Sequence, residues 1–191
     1  MKNGKTKYVI LGLLTEAPMT GYDIKKIIDI RFSFFWNESY GQLYPMLKAL
    51  TKENLISADK STGGRGKVIY AITPEGRKTL REWLAEPVEK ELVRFELLLK
   101  MYFSGETDVS VTRKHVRTFM DTHADQLAML NLFEKELLGM ADDHYNHKDV
   151  LRVIGFGQKV YRAYIEWCEE TLSYLEDKEK KKLCKSREET N

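Results

Sequence analysis

Apolar residues spaced three and four apart open the chain. Val9, Ile10, Leu13 and Leu14 lie on one face of a helix from Lys5 to Glu16, which Pro18 ends. Thr20-Gly21-Tyr22-Asp23 reads as the next helix start, with Thr20 as N-cap and Ile24, Ile27 and Ile28 as the apolar face. An aromatic patch of Phe32, Phe34, Phe35 and Trp36, then the polar Asn37-Glu38-Ser39, leads to a third helix. Pro45 has no N–H and suits only a first turn, so this helix is expected to start between Tyr40 and Tyr44. Leu43, Leu47 and Leu50 then face a core with Met46 beside them. Gln42, Tyr44, Lys48, Thr51 and Lys52 lie off that stripe.

The period changes after this helix. Residues 55–60 and 67–72 read as strands, joined by Ser61-Thr62-Gly63-Gly64-Arg65-Gly66 into a hairpin with a glycine-rich, basic tip. Thr73-Pro74-Glu75-Gly76 restarts helix, with threonine as cap, proline at the first position and an acid in the first turn. That helix carries Leu80, Trp83 and Leu84 and stops near Pro87. Beyond Val88 only helical spacing remains, first in an apolar stretch from Leu92 to Phe103. A long helix over 109–139 then carries Val116, Phe119, Met120, Leu127, Leu130, Phe133 and Leu137. A polar loop leads to a last helix over 148–177, with Ile154, Tyr161, Tyr164, Ile165, Cys168, Leu172 and Leu175 on its apolar side.

Three helices, a basic hairpin and a helix follow the order of a winged helix-turn-helix. The expectation is a mainly α protein. A winged helix-turn-helix DNA-binding domain with a two-stranded wing occupies 1–86, an all-helical dimerisation domain 87–177, and a charged, disordered tail 178–191. The expected dimer residues are Phe119, Leu127, Leu130, Ile154, Tyr161 and Leu172.

Composition narrows the class. A chain of 191 residues with 42% hydrophobic and 31% charged residues has the balance of an ordinary folded protein. Cys168 and Cys184 suggest neither a disulfide framework nor a zinc site, and a cytoplasmic chain is expected. The run from Tyr8 to Leu14 follows three lysines as a secretion signal would, but no cleavage pattern succeeds it. No apolar run approaches the roughly 18 residues of a membrane span. Net charge is only +2, yet residues 1–82 carry 14 Lys and Arg against 8 Asp and Glu, and the remainder 17 against 21. A basic front half suits a polyanion.

A recognition helix presents its N-terminal residues to base edges and later ones to phosphates. Gln42 can pair with adenine in the major groove, and Tyr40, Tyr44, Lys48 and Lys52 can bond phosphate oxygens. Arg65 and Lys67, at a narrow glycine-rich tip, suit an electronegative minor groove.

The segments Tyr40-Gly41-Gln42-Leu43-Tyr44-Pro45-Met46-Leu47, Asn54-Leu55-Ile56, Gly64-Arg65-Gly66-Lys67-Val68-Ile69-Tyr70 and Ile72-Thr73-Pro74-Glu75-Gly76-Arg77 resemble the PadR family of bacterial transcriptional regulators. Thr20-Gly21-Tyr22-Asp23-Ile24 matches a further pattern of that family and adds Thr20 and Tyr22 to the DNA-binding set. The resemblance covers about residues 8–80. The helical remainder is similar to the subfamily with a long C-terminal domain. It implies a homodimeric repressor of an inverted-repeat operator, released by a small molecule. It also implies an aromatic effector held between the two domains, for which Trp36, Arg94, Phe95, Tyr161 and Tyr164 are candidates.

Other chemistries find little support. His144 and His147, near Asp142, Asp143 and Asp149, make a weak metal signal, and neither metal nor cofactor is expected. Cys168 reads as a buried thiol. The sequence holds no nucleophile elbow, phosphate-binding glycine loop or metal-binding helix, and an enzyme is not expected. The alternative is a winged-helix module that binds protein rather than specific DNA.

Overall fold

The computed structural model describes residues 5–32, 35–36, 40–60, 67–89, 93–141 and 146–188. Helix α1 (Thr6–Leu13) buries Ile10, Leu11 and Leu13, and turns continue it to Glu16. A two-residue strand β1 (Met19–Thr20) leads into α2 (Gly21–Ile27). Its start is closed by a reciprocal capping box: the Thr20 hydroxyl accepts the Asp23 N–H, and the Asp23 carboxylate accepts the Thr20 N–H, each at 3.2 Å. One π-helical turn, Ile28–Phe32, follows. Lys25, itself buried, pairs there with Asp29.

Helix α3 spans Tyr40–Lys52, so Pro45 lies in its second turn rather than its first. The proline cannot return an N–H to the Gly41 carbonyl, and both residues face solvent, where water can serve that carbonyl. Leu43, Leu47 and Leu50 are fully buried, as their spacing predicts. The helix ends in a Schellman turn: Leu55 N–H donates to Leu50 O at 2.9 Å and Asn54 N–H to Thr51 O at 3.1 Å. Asn54 takes the left-handed position at φ 55°.

Strands β2 (Ile56–Lys60) and β3 (Val68–Ile72) form the expected hairpin, with Ile56 opposite Ile72 and Lys60 opposite Val68. The sheet has three strands rather than two, in the order β1-β3-β2, because Met19 and Thr20 pair with Tyr70 and Ile69. Helix α4 (Pro74–Leu84) starts on the Thr73 cap, whose hydroxyl accepts the Gly76 N–H at 3.0 Å and donates to Leu55 O at 3.0 Å. Trp83 of α4 stacks on Tyr8 of α1 with ring centroids 4.3 Å apart. The core of this unit, Met1–Lys90, joins α1, α2, α3, β2 and α4.

The second unit, Glu91–Asn191, is helical throughout its regular structure. Helix α5 (Glu96–Tyr102) begins later than the apolar spacing predicts, because Phe95 is extended and caps it without a side-chain bond. Helix α6 (Val109–Leu138) starts on Asp108, whose carboxylate accepts the Ser110 N–H at 2.8 Å. Helix α7 (His147–Glu188) runs back along it: Arg113 meets Glu179 at 2.6 Å, while Gln158 donates to Asn131 at 3.0 Å and to Glu134 at 2.8 Å. Val116, Cys168, Leu172 and Leu175 form a core cluster between them. Of the tail expected from residue 178 to 191, residues 189–191 lie outside the described residues, and the rest is helix. The helix continues to Glu188, and Glu179 is anchored on α6 by Arg113.

Candidate nucleic-acid interface

Burial of the α3 leucines turns Gly41, Gln42, Tyr44, Pro45, Lys48 and Lys52 to solvent. Tyr44 keeps 49% of its surface exposed and Tyr22, on α2, keeps 63%. The Tyr40 side chain and Arg65, both assigned to DNA from sequence, lie outside the described residues, as do the rest of the hairpin tip and Lys2. Lys67 is described and exposed. It acts on α2: Asp23 sits below the ordinary carboxylate range chiefly through its hydrogen bond with the Thr20 side chain, helped by the Thr20 N–H and then by Lys67 and Lys26. The start of α2 and the foot of the wing therefore share one electrostatic neighbourhood.

Thr20 needs correcting. Its hydroxyl lies 2.6 Å from Asp23 Oδ2 and accepts the Asp23 N–H. A group so engaged has no proton to give a phosphate, and the adjacent carboxylate repels one. Thr20 holds the helix start. Lys5 is likewise engaged: it pairs with Glu89 at 3.1 Å and lies 5.8 Å from the Trp83 ring centroid.

Sequence reasoning passed over Lys26 and Ile69, which are exposed beside this set. Lys26 stands one helical turn after Tyr22, a spacing that would have found it. Ile69 shares a strand face with Lys67 by simple alternation.

In the second unit, Leu130, Ile154, Tyr161 and Leu172 were expected to pair two chains. They are buried at 4%, 1%, 4% and 7% exposure inside this one, because α6 and α7 bury each other's stripes. Leu127 and Phe119 are half-buried. Outward-facing apolar side chains are instead Leu98, Leu99, Tyr102 and Phe103 of the α5 region and Leu132 and Phe156 of α6 and α7.

Of the effector candidates, Phe95 and Tyr164 come together, with ring centroids 5.5 Å apart and Phe119 beside both. With Leu97, Leu98 and Trp167 they line a cavity of about 140 Å3. Tyr161 packs on Tyr164 and His123 but does not line it, and burial, then Tyr164, push its phenol up to about 12. Arg94 is exposed and also absent from the lining, and Trp36 is half-buried in the other unit. A larger cavity of about 450 Å3 lies among α5, α6 and the turn between them, with Lys100 and His115 on an otherwise largely apolar wall.

Cys168 is fully buried, and burial pushes its thiol up. Among the described residues no group of three His, Cys, Asp or Glu could hold a metal. Asp142, Asp143 and His144 lie outside them. Among the described residues no helix is long and apolar enough to cross a membrane.

Comparison with known proteins places these features. Residues 10–82 match the Transcriptional regulator PadR-like family, and residues 93–176 match the Virulence activator alpha C-term family. A PadR-like transcriptional regulator from Bacillus cereus shares 30% identity and superposes with a TM-score of 0.77 over 91% of this chain and 99% of that one. The negative transcriptional regulator PadR of Bacillus subtilis is 38% identical over 101 residues, a match spanning 51% of this chain and 55% of that protein. That protein's structure with operator DNA superposes at TM-score 0.74 and 27% identity, over 88% of this chain and 96% of the other. Its structure with p-coumaric acid superposes at 0.67 and 28%, over 89% and 98%.

Proposed function

The chain belongs to the PadR-like family of transcriptional regulators, and from that premise we propose that it is a homodimeric repressor that reads an inverted-repeat operator with α3 and lets go when an aromatic effector binds. The observation that carries this reading is the outward face of α3. Three leucines of the helix are fully buried, while Gln42, Tyr44, Lys48 and Lys52 stand exposed, with Tyr22 and Lys67 also exposed in the same unit.

Gln42 is suited to a base edge and the lysines to phosphates. The B. subtilis relative was crystallised with operator DNA, which supports the same use here. Two heads spaced about one DNA turn apart, roughly 34 Å, match a palindrome. The pairing surface is drawn from the exposed apolar groups of the second unit rather than from the buried α6–α7 stripes. An effector of the class seen with the relative, p-coumaric acid, would seat its ring among Phe95, Phe119, Tyr164 and Trp167.

The test is a band-shift of the DNA upstream of the protein's own gene, with unrelated duplex as competitor, alongside the mass of the free protein by light scattering. Retention of the specific band under competitor and a mass of two chains are expected. A protein that never prefers its upstream DNA, or one that stays a single chain at every concentration, overturns the proposal.

A further inference from the structure

Gly21 opens α2 although glycine is the poorest helix former after proline. Its φ lies outside the left-handed region, so its backbone makes no demand that another residue could not meet. What it offers is room. A β-carbon at Gly21 would stand 2.9 Å from Tyr44 Cε1, 3.3 Å from Tyr44 Cζ and 3.2 Å from Leu47 Cδ1. The first distance is about 0.5 Å short of ordinary contact. One edge of the Tyr44 ring thus rests on the α2 backbone, while half of the residue stays in solvent. Burial, and after it the neighbouring Tyr44, pushes the Tyr70 phenol above its ordinary value, so the two phenols stand close enough to influence each other.

We propose that Gly21 is a positioning residue for DNA recognition: the space left by its missing side chain fixes where the Tyr44 hydroxyl is presented, and Gly21 itself reads nothing. This rests on the assignment of the outward α3 face to DNA. A phenol donating to a phosphate oxygen makes a bond that weakens steeply with distance and angle. A methyl group at position 21 presses on Cε1 and Cζ, the end of the ring that carries the hydroxyl, and moves the hydroxyl with it. Half of Tyr44 lies in solvent, so the ring has room to shift away from the methyl group, and the cost falls on binding.

The experiment uses the full-length protein and two duplexes, one selected by the wild type from a random-sequence pool and one unrelated. Gly21→Ala should weaken the selected duplex about tenfold, the scale of one hydrogen bond to a charged group, with its thermal melt retained. In a Tyr44→Ala background the same change should add less than about twofold, because the contact through which it acts is gone. If Gly21→Ala proves unstable through Leu47, Gly21→Ala with Leu47→Val removes that second contact, and the same tenfold loss is expected. Unchanged affinity in either folded variant overturns the proposal, and so does an undiminished loss in the Tyr44→Ala background. A Tyr44→Ala protein that binds like wild type removes the α3 reading at this residue and the proposal with it. Separate losses in Gly21→Ala and Tyr44→Ala that add in the double variant refute only the positioning role.

Discussion

Replacing Gly76 with alanine tests how closely α4 is tied to the wing. Gly76 is buried in the first turn of α4. A β-carbon there would stand 2.9 Å from Ile72 Cγ1 and 3.1 Å from the Leu55 carbonyl carbon, and well inside 3.0 Å of the Leu55 oxygen. That oxygen is backbone, and it already accepts the Thr73 N–H at 3.1 Å and the Thr73 hydroxyl at 3.0 Å. It cannot turn aside, so α4 must back away and the Thr73 cap must stretch. Overfilling such a site costs about 1–3 kcal/mol, and a weakened cap adds up to about 1 kcal/mol. Alanine's better helix propensity returns at most about 1 kcal/mol. The expected net loss is about 2 kcal/mol. Urea unfolding measures it, followed by tryptophan emission in a Trp167→Phe background, which leaves Trp36 and Trp83 of the first unit as reporters. The midpoint should fall with little change in slope. Stability within about 0.5 kcal/mol of the parent would refute the close approach.

Gln42→Ala should relax preference at one base pair of the selected site, and Lys48→Ala should weaken all duplexes alike and flatten the salt dependence by about one unit of slope; unaltered base preference or an unaltered slope counts against those roles. Asp23→Asn weakens the capping box and removes a negative charge from the DNA side, so thermal stability should drop while affinity for unrelated DNA rises. Unchanged or increased stability contradicts the capping argument, and unchanged affinity for unrelated DNA contradicts placing Asp23 near the DNA. Tyr161 titrates near 12 in the folded chain against an ordinary value of 10. Its contribution is therefore complete below pH 10 and is lost as pH rises toward 12, by about 2 kcal/mol. Melts at pH 9 and 11.5 should show a smaller alkaline loss for Tyr161→Phe than for the parent, and equal losses would sink the assignment.

The first unit was legible because its signals are local. Thr20 and Thr73 cap where their positions predict, and the α3 leucines are buried at the expected spacing. What escaped depends on contacts distant in sequence. β1 exists only because Met19 and Thr20 find Tyr70 and Ile69, some fifty residues on. Thr20 is a local exception: the family pattern adds it to the DNA-binding set, while the hydroxyl is taken up by Asp23 only three residues on. Periodicity identified the apolar stripes of α6 and α7 correctly, but an apolar stripe does not name its partner. Ile154, Tyr161 and Leu172 meet the other helix of their own chain rather than a second copy. Past residue 177, α7 also meets α6 through Arg113, sixty-six residues away from Glu179, a contact that no local pattern announces.

The Gln158 amide sits buried between α6 and α7 with two partners one helical turn apart on the opposing helix. Sliding one helix along the other by a single residue, about 1.5 Å, would stretch both of the amide's bonds beyond hydrogen-bonding distance. The amide thereby holds α6 and α7 in one register. A shift of register would cost the pair a hydrogen-bonded buried group, whereas a swing of both helices as one body would not.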